Sequence, residues 1–141
     1  MASITAVNAS INLYVSILPP VNLMGFATDD IFSTPPIRTK EHMMGVDGRL
    51  SAGKVFQPVE MTITFQADSP SIPWFDAWKQ TEDAVEDTYF ASGSVWLPAL
   101  GQKWTLNNGI LETYQAIPDA RRLLQPRRFT LIWESVSPAA I

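Results

Sequence analysis

Apolar and polar residues alternate most cleanly in the run Val59-Glu-Met-Thr-Ile-Thr-Phe-Gln-Ala67. Val59, Met61, Ile63, Phe65 and Ala67 fall on one side, and Glu60, Thr62, Thr64 and Gln66 on the other. Successive side chains of a strand point to opposite faces, so this run predicts a strand with one buried and one wet face. Phe129, Leu131 and Trp133 alternate with Thr130, Ile132 and Glu134 and predict another. Ile11–Leu18 predicts a first strand, closed by Pro19-Pro20, which cannot donate to a ladder. Tyr89–Leu97 predicts a fourth, weakened by Gly93. Asn108-Gly109 lies between Lys103–Asn107 and Ile110–Ile117 and predicts a tight hairpin, because Asn-Gly accepts the positive φ angles of a type I′ turn. That turn sets Leu106 against Leu111 and Trp104 against Thr113, with Thr105 and Glu112 on the other side.

One helix is expected among the strands, inside 69–86. Asp68-Ser-Pro-Ser-Ile-Pro73 supplies the residue types that start helices, and Ile72, Phe75 and Trp78 then recur every three residues as an apolar stripe. The helix runs out into Glu82, Asp83, Glu86 and Asp87. Segments 21–58 and 118–128 are rich in Pro, Gly and polar residues and read as long loops. Loops of that length in a compact domain are usually functional, so 38–58 is expected to be an extended arm making contacts between subunits. The fold class expected is mainly β: an antiparallel barrel or sandwich with one flanking α-helix and a long loop or arm.

Composition narrows the function. The 141 residues suit a single domain, and 46% hydrophobic with 17% charged is enough to build a core. The absence of Cys excludes a disulfide scaffold, a thiol nucleophile and every Cys-based metal site. Apolar runs fall short of the ~20 residues of a membrane-spanning helix, so no membrane insertion is expected. The N-terminal Met1-Ala-Ser-Ile-Thr-Ala-Val-Asn has neither the basic region nor the apolar block of a signal peptide, which points to a cytosolic start. A net charge of −4 argues against a general nucleic-acid binder.

Candidate chemistry is thin. Gly48-Arg-Leu-Ser-Ala-Gly53-Lys54 matches seven positions of a phosphate-binding loop, but Val55 stands where Ser or Thr must hold Mg²⁺ and Pro58 blocks a following helix. His42 is the single histidine, and no nucleophile elbow or second metal-ligating His accompanies it. Asp29-Asp30 and Glu82-Asp83…Glu86-Asp87 are the dense acidic pairs. Like charges at i,i+4 near a helix C-terminus are unfavourable, which fits either a solvated face or a surface that a basic partner neutralises. Arg121, Arg122, Arg127 and Arg128 form the one basic cluster, around Leu123-Leu124-Gln125-Pro126. In an acidic chain its best use is an ion-pair surface between subunits. Trp74, Trp78, Trp104 and Trp133 lie on the apolar stripes, so core packing rather than sugar stacking accounts for them. Asn8-Ala-Ser10 is a glycosylation sequon, silent without secretion. The residues thus predict no enzyme and no catalytic, cofactor or metal site. A structural or binding module remains.

The order of features resembles one family. A first strand leads to a polar arm ending Gly45-Val-Asp47-Gly48, then the alternating strand 59–67, Asp68-Ser69-Pro70 opening a helix, Gly93…Leu97-Pro98, Trp104…Asn108-Gly109 and a closing Phe129…Trp133-Glu134 strand. Over residues 10–136 this resembles the major tail-tube protein of tailed bacteriophages, particularly the small tube proteins of contractile tails. The resemblance implies a β-barrel or two packed sheets with a flanking helix, six copies closing into a ring by pairing their sheets, and rings stacking into a hollow tube. It implies a virion protein, assembled in the host cytoplasm, with tail sheath, baseplate and tail-terminator proteins as partners. Phage DNA passes through the lumen without specific binding, since like charge at the wall denies phosphates the counterion release that drives binding. Subunit contacts are expected at Gly45, Asp47, Gly48, Arg49, Lys54, Glu82, Asp83, Glu86, Asp87, Arg121, Arg122, Arg127 and Arg128. The ring-forming tube of type VI secretion is the neighbouring alternative, and a carbohydrate-binding sandwich is the alternative of another class.

Overall fold

A computed structural model of the chain describes residues 9–26 and 31–140. Its strands in chain order are β1 (Ser10–Val15), β2 (Val21–Asn22), β3 (Phe32–Ser33), β4 (Lys40–Met44), β5 (Leu50–Lys54), β6 (Val59–Phe65), β7 (Ala91–Leu97), β8 (Gln102–Tyr114) and β9 (Arg127–Ala140). A single helix, α1 (Ile72–Val85), separates β6 from β7. Seven strands form one antiparallel sheet in the order β2-β1-β7-β8-β9-β6-β3, and β4 with β5 form a separate hairpin. The expected architecture of strands with one flanking helix is borne out as a half-barrel.

The curl of that sheet shows in its hydrogen bonds. Leu23 N donates to Ile11 O at 2.8 Å, and two residues later Gly25 O accepts from Gln66 N at 2.9 Å. Phe26 then bridges Phe65. One short stretch therefore touches both β1 and β6, which three strands separate in the sheet order. Two serines ahead of α1 hold it there. Met24 N donates to Ser71 Oγ at 2.9 Å, and Ser69 Oγ donates to Met24 O at 2.5 Å. Ser71 is the N-cap residue of α1, yet its side chain serves this strand instead of capping the helix.

The inner face carries the core. Ile11, Leu13, Val15, Met61, Ile63, Phe65, Phe129, Leu131 and Trp133 are all at most 1% exposed. The stripe predicted on α1 packs onto them: Phe75 stacks on Phe129 with ring centroids 4.8 Å apart, and Trp78 is fully buried. Each such side chain removed from water contributes roughly 1.5–3 kcal/mol. The opposite face of the sheet carries short polar side chains, among them Asn12, Ser92, Ser94, Thr105, Thr62 and Thr130, together with Tyr14, Trp96, Lys103, Ile110, Ile132 and Arg128.

Three expectations need correction. Asn108-Gly109 makes no hairpin turn, because β8 runs straight through it to Tyr114. The positive φ that Asn108 tolerates (45°) is spent on a bulge against β7, where the register shifts between Ala91 and Gly93. Leu106 therefore does not face Leu111 but lies opposite Val136, and Trp104 lies opposite Pro138 instead of Thr113. The second correction is that 21–58 is not irregular throughout, since β2, β3 and the β4–β5 hairpin lie within it. The third is that the first strand stops at Val15, three residues before the predicted end.

Gly93 does not break its strand. A Cβ there would overlap the Asn12 carbonyl oxygen, so the glycine allows β1 and β7 to approach.

Candidate assembly surface

The arm between β3 and β6 is the hairpin of β4 and β5, paired from Lys40↔Lys54 to Met44↔Leu50. Its turn uses Gly45, Asp47, Gly48 and Arg49 together. Gly45 N donates to Arg49 O (2.8 Å), Gly48 N to Gly45 O (3.0 Å), and Arg49 N to Asp47 Oδ1 (3.1 Å). Gly48 sits at φ 81°, a conformation that L side chains resist. Every residue of both strands is exposed. That includes Met43, Met44 and Leu50, with Val46 at the tip and Phe56 just beyond, where Lys54 Nζ lies 5.0 Å over the ring. A lone two-stranded hairpin is marginal in water and needs a packing partner to persist. Here it turns apolar side chains outward with no described residue of its own chain over them.

The sequence that imitates a phosphate loop, Gly48–Val55, is the turn and second strand of this hairpin, and no helix follows it. A phosphate cradle needs that helix start, so this one is absent. His42 is exposed on β4 opposite Ala52, far from the arrangement a general base requires. No group of three His, Cys, Asp or Glu among the described residues could hold a metal ion. No helix is long and apolar enough to cross a membrane.

The acidic end of α1 lies where expected. Glu82 Oε2 accepts from Tyr89 N (2.9 Å), and Lys79 pairs with Asp83 at 2.6 Å one turn on. Glu86 closes the helix in the left-handed conformation at φ 56°. Beside this end runs a groove of about 480 Å³, lined by Glu82, Asp83, Glu86 and Asp87, by Lys79, which pairs with Asp83, and by Thr88, Ile110 and Leu111.

The four arginines do not act as one cluster. Arg127 is 5% exposed and belongs to the interior. Its guanidinium pairs with Asp76 of α1 at 3.0 Å, donates twice to Gln115 O (2.7 and 2.9 Å) and stacks over Phe129 at 5.2 Å. Tyr114 also donates to Asp76, and burial, followed by that contact, pushes its phenol above the ordinary value of 10.0. Arg127 is therefore removed from the subunit-contact set: the alternation of β9 turns it inward, and α1 brings the acid that pairs it. Arg121, Arg122 and Arg128 are exposed and form no ion pair with a described acid. Asp29, Asp30 and Asn8 lie outside the described residues.

The inner face is left open at the end away from α1. A trough of about 300 Å³ runs there between Phe32, Val59, Leu97, Trp104, Trp133 and Val136. β6 pairs β9 only as far as Trp133, so Glu134–Ala140 has β8 on one side and no described strand on the other. Of the tryptophans, Trp74, Trp78 and Trp133 are buried, Trp104 is half-buried, and Trp96 alone is exposed.

Against this geometry stands one family. The family model of tail fiber protein gp32 matches residues 2–137, nearly the whole chain. The chain belongs to the tail fiber protein gp32 family. No curated protein matches it. In the tail fiber protein gp32 family, then, the fold can be set beside solved structures. A chain of an extracellular contractile injection system sheath–tube complex in the extended state is similar with a TM-score of 0.59 at 15% identity, over 93% of this chain and 88% of that one. A chain of the same kind of system's sheath/tube terminator gives 0.59 at 12% identity, over 99% of each. One from the baseplate of an anti-feeding prophage gives 0.57 at 15%, over 94% and 92%. This chain shares the fold of these proteins, and its membership of the tail fiber protein family makes it a structural tail component. Its resemblance to tail proteins holds at that level.

Proposed function

We propose that this single-domain protein builds a tail tube, with six copies closing into a ring and rings stacking through the β4–β5 arm. The carrying observation is that arm. Ten strand residues without one buried side chain, tipped with Met44, Val46 and Leu50, make a hairpin that packing against another chain would stabilise, as stacked copies would provide. The open edge of β9 beside an apolar trough supports the same reading, since unpaired edges invite strands from other chains. Closure into a ring removes such edges. The role needs no catalysis and no cofactor, in keeping with the solitary His42.

In this reading the stretch of the polar face over β1, β7 and the first half of β8, rich in Ser and Asn, lines the channel, and the apolar end around Ile110 and Ile132 lies outside it. Short neutral side chains and a net acidic chain leave passing DNA Lys103 as the cation of this stretch to hold. Sheath, baseplate and terminator proteins are the partners, the virion tail is the location, and assembly takes place in the host cytoplasm. Electron microscopy of the concentrated protein tests the proposal: rings or tubes with an open centre are expected. A protein that stays monomeric, or that assembles into fibres without a channel, overturns it.

A further inference from the structure

The loop between β8 and β9 is held in shape by its own backbone. Ala120 bridges Leu124, Arg121 N donates to Leu123 O (3.3 Å), and Gln125 N donates to Asp119 O (2.8 Å). Arg127 anchors its base through Gln115 O. This ordered loop turns its apolar residues outward: Ile117 is 76% exposed, Leu123 75% and Leu124 60%. Arg121 and Arg122 flank them and form no ion pair with a described acid, Asp119 of the same loop included. A knob of exposed aliphatic side chains ringed by unpaired guanidinium groups is the signature of a docking surface, not of a solvated loop.

The same chain carries a matching receptor. The acidic groove at the end of α1 adjoins a second groove of about 440 Å³, lined by Pro58, Phe90, Asn108, Ile110, Ile132 and Glu134, and Ile110 is common to both. Phe90 is 61% exposed beside it. Apolar floor and acidic wall thus complement apolar knob and basic rim. The two surfaces sit apart on one molecule. Tyr114, at the base of the loop, meets Asp76 in the first half of α1, whereas the acids stand at and beyond its last turn. Ile110 and Tyr114 are four residues apart on β8, roughly 13 Å at strand spacing.

We propose that the Ile117–Leu124 knob of one copy docks into the Glu82–Asp87 and Phe90–Ile110 grooves of the next copy. The contact is heterologous, head to tail, and such contacts generate rings when the rotation closes. Leu123 and Leu124 fill the apolar floor, and Arg121 and Arg122 meet Glu86 and Asp87. This rests on the ring reading above and names the surfaces that join neighbours.

Charge reversal in two separate variants tests it. R121E/R122E reverses the knob, and E86K/D87K reverses the groove; lysines at a helix C-terminus suit the dipole, so folding is retained and thermal denaturation verifies it. Each variant alone is expected to require about tenfold more protein to assemble than the wild type. Mixing the two restores assembly as alternating copies, since each knob then finds an opposite groove. Assembly of either variant at wild-type concentration, or no rescue on mixing, overturns the proposed contact while leaving rings and the tube reading intact. Wild-type protein that never self-associates overturns both. Loss of duplex DNA binding by R121E/R122E with assembly unchanged would assign the knob to nucleic acid and also overturn it.

Discussion

Gly109 lies against the indole of Trp133, its partner across the β8–β9 ladder, so closely that a Cβ on Gly109 would overlap the ring carbons. The neighbour cannot yield, because Trp133 is fully buried in the core. Replacing Gly109 with Ala is therefore expected to destabilise the fold by about 1–3 kcal/mol, the usual range for overpacking a tight core. Thermal denaturation measures it, and an unchanged melting temperature would refute the contact.

Arg127 and Arg121-Arg122 are expected to separate cleanly. Arg127→Ala strips Asp76 and Gln115 of their cation and removes a stacked side chain. Loss of one partner of a buried pair costs about 3–5 kcal/mol, and the one-third exposure of the Asp76 side chain places this at or below the lower end. Arg121→Ala with Arg122→Ala should shift stability by no more than about 0.5 kcal/mol, as exposed sites do. Urea denaturation of the two variants would show equal effects only if Arg127 were not buried.

Tyr114 ties stability to alkaline pH. Its folded pKa is raised above 10.0 by burial and by Asp76, so the unfolded chain releases the phenol proton first. The stabilisation is complete below pH 10 and declines as pH rises above it. Tyr114→Phe is expected to lower stability near neutrality through the lost hydrogen bond and to flatten the decline above pH 10. An unaltered alkaline slope in that variant would remove Tyr114 as its cause.

The arm is expected to matter for assembly and not for folding. Deleting 43–53 removes only exposed residues. The far-ultraviolet circular dichroism and melting temperature should stay close to wild type, while long tubes fail to form. Tubes of normal length from the deletion would remove the arm from stacking.

Assembled protein should hold duplex DNA negligibly at physiological salt. Arg127 is taken by Asp76 and Arg121 and Arg122 are assigned to the next copy, which leaves Arg128 as the one member of the cluster without an assigned partner. Gel-shift titration of the assembled form is the assay, and salt-sensitive binding near micromolar affinity would contradict a sliding channel.

The strands of this protein were legible wherever a local period meets a one-sided core. The alternations at 59–67 and 129–134 and the three-residue spacing of Ile72, Phe75 and Trp78 each state which side is buried. Met61, Ile63, Phe65, Phe129, Leu131, Trp133 and the helix stripe are buried as stated, whereas Val59 and Ala67 are half-buried and Thr64 and Thr130, read as wet, are buried too. Tertiary structure alone decided two things. Asn108-Gly109 has the conformational freedom for a turn or for a bulge, and only packing of Gly109 on Trp133 selects the bulge and keeps β8 running. Arg127 and Arg128 are adjacent and chemically identical, yet the pleat turns one inward to Asp76 and leaves the other exposed. Sequence proximity groups charges along the chain, whereas burial and pairing are set by the strand face and by an acid 51 residues away.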